Sequence, residues 1–257
     1  MIKLNNITAG YNKIEIIKNI NITFEEGSIT SIVGKNGCGK TTLLKTAANL
    51  LKPFSGEITI SNKDISKIPN KELAKKVAFL PQNRTVPNIR VYNLVMHGRY
   101  PYLGFSRTPE KKDKEIVRAA IKSMGIDSYM EKNMWELSGG QRQKAYLAMV
   151  LAQDTDIIFL DEPTTYLDIN HQLEILEIVK RLKKMGKTIV MVLHDLSNAF
   201  SYSDKICLMD EGEIVVHDTP QAVFDRKDIK RIFKISQEEV LVGKEGIKQY
   251  VFYLKKN

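Results

Sequence analysis

A chain of 257 residues, 43% hydrophobic and 27% charged, has the composition of a globular protein and the length to bury a core without disulfides or metals. Its longest apolar run, residues 145–152, has eight residues where a membrane helix needs about 20, so no bilayer-spanning segment is predicted. The 39 basic and 30 acidic side chains leave a net charge of +9, which suits nucleic acid, an anionic membrane surface or phosphorylated small molecules, and equally a lysine-rich solvated face. Charge alone therefore selects no partner.

The first six residues, Met1-Ile2-Lys3-Leu4-Asn5-Asn6, contain no apolar h-region. Cys38 and Cys207 are far apart and lack metal-ligand spacing, so a reducing compartment is expected, and with it a cytosolic protein. Along the chain, residues 2–33 read as several short strands with turns near Gly10 and Glu26-Gly27. A helix over 40–51 follows, stopped by Pro53. Residues 56–60 read as a strand entering a turn at Ser61-Asn62-Lys63, and 77–80 as a short strand cut off by Pro81. From 86 to 135 the pattern turns helical and charged. Thr108 and Pro109 suit a helix cap and first position, Val117, Ala120, Ile121 and Met124 share one face, and Gly125 suits the far end. Residues 157–160 and 188–193 are near-continuous apolar runs, the pattern of buried parallel strands. Between them Leu173, Leu176, Val179 and Leu182 line a helical face closed by Gly186. A last strand is expected around 250–254, and Trp135 is expected to pack beneath the loop at 137–141. Alternating strands and helices predict an α/β protein.

Three segments carry chemistry. After the strand at 29–33 come Gly34-Lys35-Asn36-Gly37-Cys38-Gly39-Lys40-Thr41-Thr42, then a helix: a phosphate-binding loop in its required strand–loop–helix setting. Its glycines let backbone N–H groups curl around an anion. Lys40 would reach the β- and γ-phosphates, and the Thr41 hydroxyl would ligate Mg²⁺. The strand at 157–160 delivers Asp161 and Glu162, one to hold Mg²⁺ and one to act as general base on the attacking water. Leu137-Ser138-Gly139-Gly140-Gln141 opens a further helix, a second place where amides and a hydroxyl converge on an anion. One nucleotide needs one phosphate loop, so the second anion site suggests two chains meeting with ATP between them.

With these motifs the sequence resembles the ATP-binding subunit of an ABC transporter over nearly its whole length. The resemblance implies a P-loop NTPase core of mainly parallel sheet, with an N-terminal antiparallel β subdomain and an inserted α-helical subdomain. The core would span about 1–85 and 155–257, and the helical part about 86–154. It further implies that Tyr11 stacks on adenine and that Gln82 contacts Mg²⁺ and the attacking water. Asp168 would communicate across the dimer, and His194 would contact the γ-phosphate. Thr165 and Tyr166 depart from the small residues many members carry. The run Thr164-Thr165-Tyr166-Leu167-Asp168-Ile169-Asn170-His171-Gln172, with Gly98-Arg99-Tyr100-Pro101, is similar to importers of ferric siderophores, haem and vitamin B12.

The implied partners are a second ATP-binding subunit (identical or a paralogue), an integral-membrane permease and, indirectly, an extracytoplasmic substrate-binding protein, with no nucleic acid. The implied place is the cytoplasmic face of the membrane. Zinc, manganese or oxyanion importers such as those for molybdate are the alternative. A DNA-maintenance ATPase would insert a long coiled coil, but Lys40 and Ser138 are only 98 positions apart. A free-standing regulatory ATPase would usually carry two cassettes, and here there is one.

Overall fold

Two-residue turns and buried apolar strands organise the molecule. A computed structural model describes residues 1–82, 84–104, 108–243 and 246–254. In chain order its strands are β1 (Ile2–Tyr11), β2 (Ile14–Phe24), β3 (Ile29–Gly34), β4 (Ser55–Ile60), β5 (Lys63–Asp64) and β6 (Val77–Leu80). They continue as β7 (Ile157–Asp161), β8 (Thr188–Val192), β9 (Lys205–Asp210), β10 (Glu213–Asp218), β11 (Ser236–Val242) and β12 (Ile247–Tyr253). The helices are α1 (Lys40–Ala47), α2 (Asn70–Leu73), α3 (Val91–His97), α4 (Lys111–Ser123) and α5 (Gly139–Ala152). After these come α6 (Ile169–Lys184), α7 (Leu196–Tyr202), α8 (Pro220–Phe224) and α9 (Asp228–Phe233). None of the described helices is long and apolar enough to cross a membrane. The chain forms two compact units, Met1–Lys67 with Thr188–Asn257, and Ile68–Lys187.

In the first unit, β1 pairs antiparallel with β2 and with β4, giving the order β2-β1-β4-β5. Asn12 and Lys13 (φ 51° and 65°), and Ser61 and Asn62 (φ 48° and 63°), make the two-residue turns whose twist matches the strands they join. Elsewhere in this unit β3 lies between two parallel neighbours, with Ile29 opposite Ile189 on β8 and Ile32 opposite Cys207 on β9. All residues of β3 and β8 are buried, which is why β8 reads as an unbroken apolar run. β10 adds antiparallel to β9, and β11 pairs with β12 as a separate hairpin.

In the second unit, β6 and β7 pair in parallel, with Val77 opposite Ile157. Helices α3, α4 and α5 pack on one another. Val117, Ala120 and Ile121 of α4 are buried as expected, and Gly125 follows the helix at φ 65°. The buried pair Arg99–Asp113 (3.0 Å) links the segment after α3 to α4, and Arg99 Nη1 also donates to the Ala152 carbonyl at 2.9 Å. The α/β class with a mainly parallel core, an antiparallel β part and a helical part holds.

Four local expectations are corrected. Helix α1 ends at Ala47 rather than at residue 51, because Asn49 turns left-handed (φ 58°). Helix α4 starts at Lys111, not beside Thr108. Glu110 and Asp113 supply a reciprocal capping box, which satisfies amides that Thr108 was expected to cap. Trp135 is 65% exposed, its Nε1 donating to Asn88 Oδ1 at 3.2 Å, while its neighbour Met134 fills the core. On α6, Leu173 is 40% exposed, and Ile175 and Ile178 take core places beside Leu176, Val179 and Leu182.

Candidate functional site

The first unit carries the phosphate-binding loop. Buried β3 delivers Gly34, where a Cβ would stand 2.4 Å from the Met209 carbonyl oxygen and 2.6 Å from Cys38 Sγ, so only glycine lets the loop leave the sheet there. Lys35, Asn36 and Gly37 are exposed, while Cys38, Gly39, Lys40 and Thr42 are buried. Gly39, at φ 99°, stands as the N-cap of α1 and has no side chain with which to cap it. No side chain caps the start of α1, the kind of helix start that takes an anion. Lys40 Nζ donates to the carbonyls of Gly34 and Lys35, each at 2.8 Å, so its ammonium is held over the loop's own concavity. Burial pushes the Cys38 thiol up, outweighing the opposing pull of Lys40, so Cys38 is a neutral filler and not a nucleophile. Thr41 follows Lys40 on the first turn of α1. Tyr11 ends β1 with 43% of its surface exposed, and His194 lies exposed just beyond β8. Asp195 caps α7, its Oδ1 accepting from Asn198 N at 2.6 Å.

The second unit carries the acids and the loop at 137–141. Asp161 ends β7 and is buried, as is Glu162, whose φ of 51° is left-handed. A non-glycine residue costs about 1–3 kcal/mol in such a conformation and is held there only by its surroundings. Here Gln82 Nε2 donates to Glu162 Oε2 at 2.5 Å, and Thr165 Oγ1 donates to the same oxygen at 2.9 Å. Gln143 Nε2 donates to the Pro163 carbonyl at 2.6 Å. Its own oxygen accepts from Arg84 Nη2 at 2.7 Å, and that guanidinium lies 4.3 Å from the Tyr146 ring centroid. Burial pulls the Arg84 guanidinium below its usual range. Gln82 and Glu162 are thus brought together, with Asp161 next in sequence.

Leu137 is buried and anchors the loop. Ser138 caps α5 through a box in which its Oγ accepts from Gln141 N (3.3 Å) and Gln141 Oε1 accepts from Ser138 N (3.0 Å). The Ser138 hydroxyl keeps its proton to donate outward. Gly139 and Gly140 begin the helix. Asp168 caps α6, its Oδ1 accepting from His171 N at 2.9 Å, with its Oδ2 2.7 Å from His171 Nδ1. These bonds from the His171 amide and ring hold the Asp168 carboxyl below the usual carboxylate range. Beside it Tyr166 (φ 64°) is 90% exposed and Ile169 is 72% exposed.

Sequence reasoning passed over Thr165 and Gln143 as supports of the 162–163 segment. Thr165 had been noted only as a departure, and Gln143 lies two residues past the motif that drew attention.

A glycine-rich loop between a buried strand and an uncapped helix defines the class: an α/β P-loop nucleotide-binding protein. The model of the ABC transporter family matches residues 17–165. The petrobactin import ATP-binding protein FpuD of Bacillus anthracis is 43% identical over 231 residues, 89% of this chain and 85% of that one. The iron(3+)-hydroxamate import ATP-binding protein FhuC of Bacillus subtilis is 40% identical, over 90% of this chain and 87% of its own length. MJ0796, a bacterial ABC transporter cassette solved as a dimer, matches with a TM-score of 0.75 at 30% identity, over 86% of this chain and 99% of that chain. This chain belongs to the ABC transporter family, as one of its ATP-hydrolysing cassettes.

Proposed function

We propose that this chain is the ATP-hydrolysing subunit of a membrane importer for an iron chelate (a siderophore or haem) or cobalamin, with iron chelates favoured. The observation that carries it is the presence of two anion-taking helix starts in one chain, the uncapped α1 and the Ser138-capped α5. One ATP occupies one phosphate loop, so the second start serves the nucleotide of another subunit. Exposed Tyr166 and Ile169 support such an interface, since large apolar groups so exposed are what an interface buries. The names of FpuD and FhuC support iron chelates over zinc, manganese or oxyanions.

In this reading residues 34–42 bind the β- and γ-phosphates, with Lys40 neutralising them, His194 contacting the γ-phosphate and Tyr11 stacking on adenine. Glu162 takes the proton of the attacking water while Gln82 and Thr165 hold its carboxylate. Gln82, turned so that its nitrogen faces Glu162, can offer its amide oxygen to a metal. The Thr41 hydroxyl and the Asp161 carboxylate likewise offer oxygen, the donor type Mg²⁺ takes. Bound there, the ion would neutralise charge on the phosphates. Ser138 to Gln141 of the second subunit, identical or a paralogue, close on the same phosphates, and Asp168 communicates between the two sites. ATP then favours the closed pair and hydrolysis releases it. Residues of about 86–154 form the lobe that docks on the permease, at the cytoplasmic face of the membrane, and a separate extracytoplasmic protein delivers the chelate.

The test is capture from native membranes with tagged Glu162→Gln protein and ATP, followed by mass spectrometry. Removing a positioned base costs about 10²–10⁴-fold in rate, so the variant should bind ATP, hydrolyse it at most at a hundredth of the wild-type rate and retain its partners. A polytopic permease among them is the expected result. Ribosomes or nucleic acid in its place would overturn the importer, and wild-type hydrolysis would overturn the base.

A further inference from the structure

Gly139 and Gly140 stand side by side in the loop at 137–141, yet their surroundings differ. A Cβ on Gly139 would meet only Leu167 Cδ2, at an ordinary 3.8 Å. A Cβ on Gly140 would fall 2.1 Å from His171 Cδ2, 2.5 Å from Cγ and 2.6 Å from Nε2. Gly140 is buried in the first turn of α5, and its φ is not among the positive ones, so backbone freedom does not explain it. The space its missing side chain leaves is filled by the imidazole of the same chain.

A further atom of that ring is fixed as well. Nδ1 lies 2.7 Å from Asp168 Oδ2, and because an ionised carboxylate only accepts, Nδ1 carries the proton. The other Asp168 oxygen accepts from the His171 amide. Both oxygens of Asp168 are thus engaged by one residue, whose ring occupies the space beside Gly140. The ring has the Asp168 carboxylate at Nδ1 and the start of α5 beside Cδ2. If Asp168 moves, its hydrogen-bonded ring moves with it, and at van der Waals contact the backbone of Gly140 must follow or lose its packing.

We propose that His171 is a positioning residue for the loop at 137–141, transmitting the place of Asp168 to the start of α5. The inference rests on the reading of Asp168 and Ser138 to Gln141 as groups that act across a dimer. It adds a physical link between them inside one chain, and a reason for glycine at 140 that is steric and local.

The full-length protein is assayed for steady-state ATP hydrolysis, and for ATP-dependent dimerisation on the Glu162→Gln background. His171→Ala should lower kcat and raise the ATP concentration for half-dimerisation, each about tenfold, the usual size of coupling between groups in contact. ATP affinity of the dilute monomer should not change, which a general loss of structure would alter. Asp168→Ala should produce a similar loss, and the double variant should be no worse than the poorer single one. A second measurement reads the packing directly. Gly140→Ala should lower the thermal midpoint when His171 is present, and much less with His171→Ala. Should His171→Ala fail to fold, His171→Asn carries the same prediction for kcat, since it can keep the bond to Asp168 while withdrawing the ring. Wild-type dimerisation by His171→Ala, multiplying effects of the two substitutions, or equal destabilisation by Gly140→Ala in both backgrounds would each overturn the link. A wild-type protein that neither hydrolyses ATP nor dimerises would instead overturn the functional reading beneath it.

Discussion

Glu162 shows how a single residue is made into a base candidate. Its left-handed backbone bends the chain sharply at the end of β7, and two donors, Gln82 and Thr165, then converge on one oxygen of its carboxylate. Aiming a carboxylate fixes which water it can reach, and proton transfer needs that aim before it needs strength. Thr165 is the donor that can be removed with least disturbance, because valine keeps its shape and loses only the hydroxyl. A hydrogen bond to a charged group contributes about 1.5–3 kcal/mol, so Thr165→Val should lower kcat on the order of tenfold with the KM for ATP unchanged. Steady-state kinetics reads this, and a kcat equal to wild type would remove Thr165 from the positioning of the base. The residue types of the site were legible in the sequence because short motifs carry their own geometry. The links between them were not. Whether Thr165 faces Glu162, or His171 lies on Gly140, depends on how the turns at 163–168 run, and no pattern of residue types encodes that.

At the scale of the element, the hairpin of β11 and β12 is the part least able to stand alone. Two strands by themselves are marginal in water. These are held by a cluster in which Phe252 and Tyr250 meet Phe200 of α7, with ring centroids 5.3 and 5.2 Å apart. They also meet Phe224 of α8, at 6.0 and 4.9 Å. Phe252 is half-buried, so Phe252→Ala should cost less than the 3–5 kcal/mol of a core truncation, about 2 kcal/mol. Amide exchange along β11 and β12 should then quicken about thirtyfold, with β3 and β8 unaffected, because local opening draws only on local contacts. Unchanged exchange in the hairpin would mean that other contacts hold it. The strand at the end of the chain was legible from alternation, as were β6, β7 and β8 from their apolar runs. Boundaries set by side chains that reach back to the backbone were not. The carboxylates of Glu110 and Asp113 outcompeted Thr108 for the start of α4, and a left-handed Asn49 ended α1 early. Trp135 was misread for a related reason: in a short 3₁₀ turn successive side chains are about 120° apart, and Met134 took the inward direction.

At the scale of the whole molecule, one observation separates a cassette that works alone from one that works in pairs. The helix start at Gly39 has no side-chain cap, whereas at Ser138 a capping box already occupies the amides of Ser138 and Gln141 and leaves fewer donors for an anion. The first site can therefore bind nucleotide in the monomer. Under the proposed function the second adds affinity only when another subunit brings a phosphate to it, so its contribution would belong to association and not to primary binding. Linkage then gives the prediction. If the closed pair binds ATP better than the separate subunits do, as proposed, ATP must drive association by the same free energy that association adds to ATP binding. Glu162→Gln, which stops turnover, should shift to a dimer on sizing as ATP is added. Ser138→Arg in that background places a bulky charged chain where the proposed function seats the second phosphate, and it should abolish the shift and the turnover. ATP affinity in dilute monomer should stay within about twofold of the parent, because surface substitutions away from a binding site rarely change it by more than ±0.5 kcal/mol. If Ser138→Arg weakened monomer binding as strongly as it blocked dimerisation, Ser138 would be acting on the nucleotide of its own chain, and the paired arrangement would have to be abandoned.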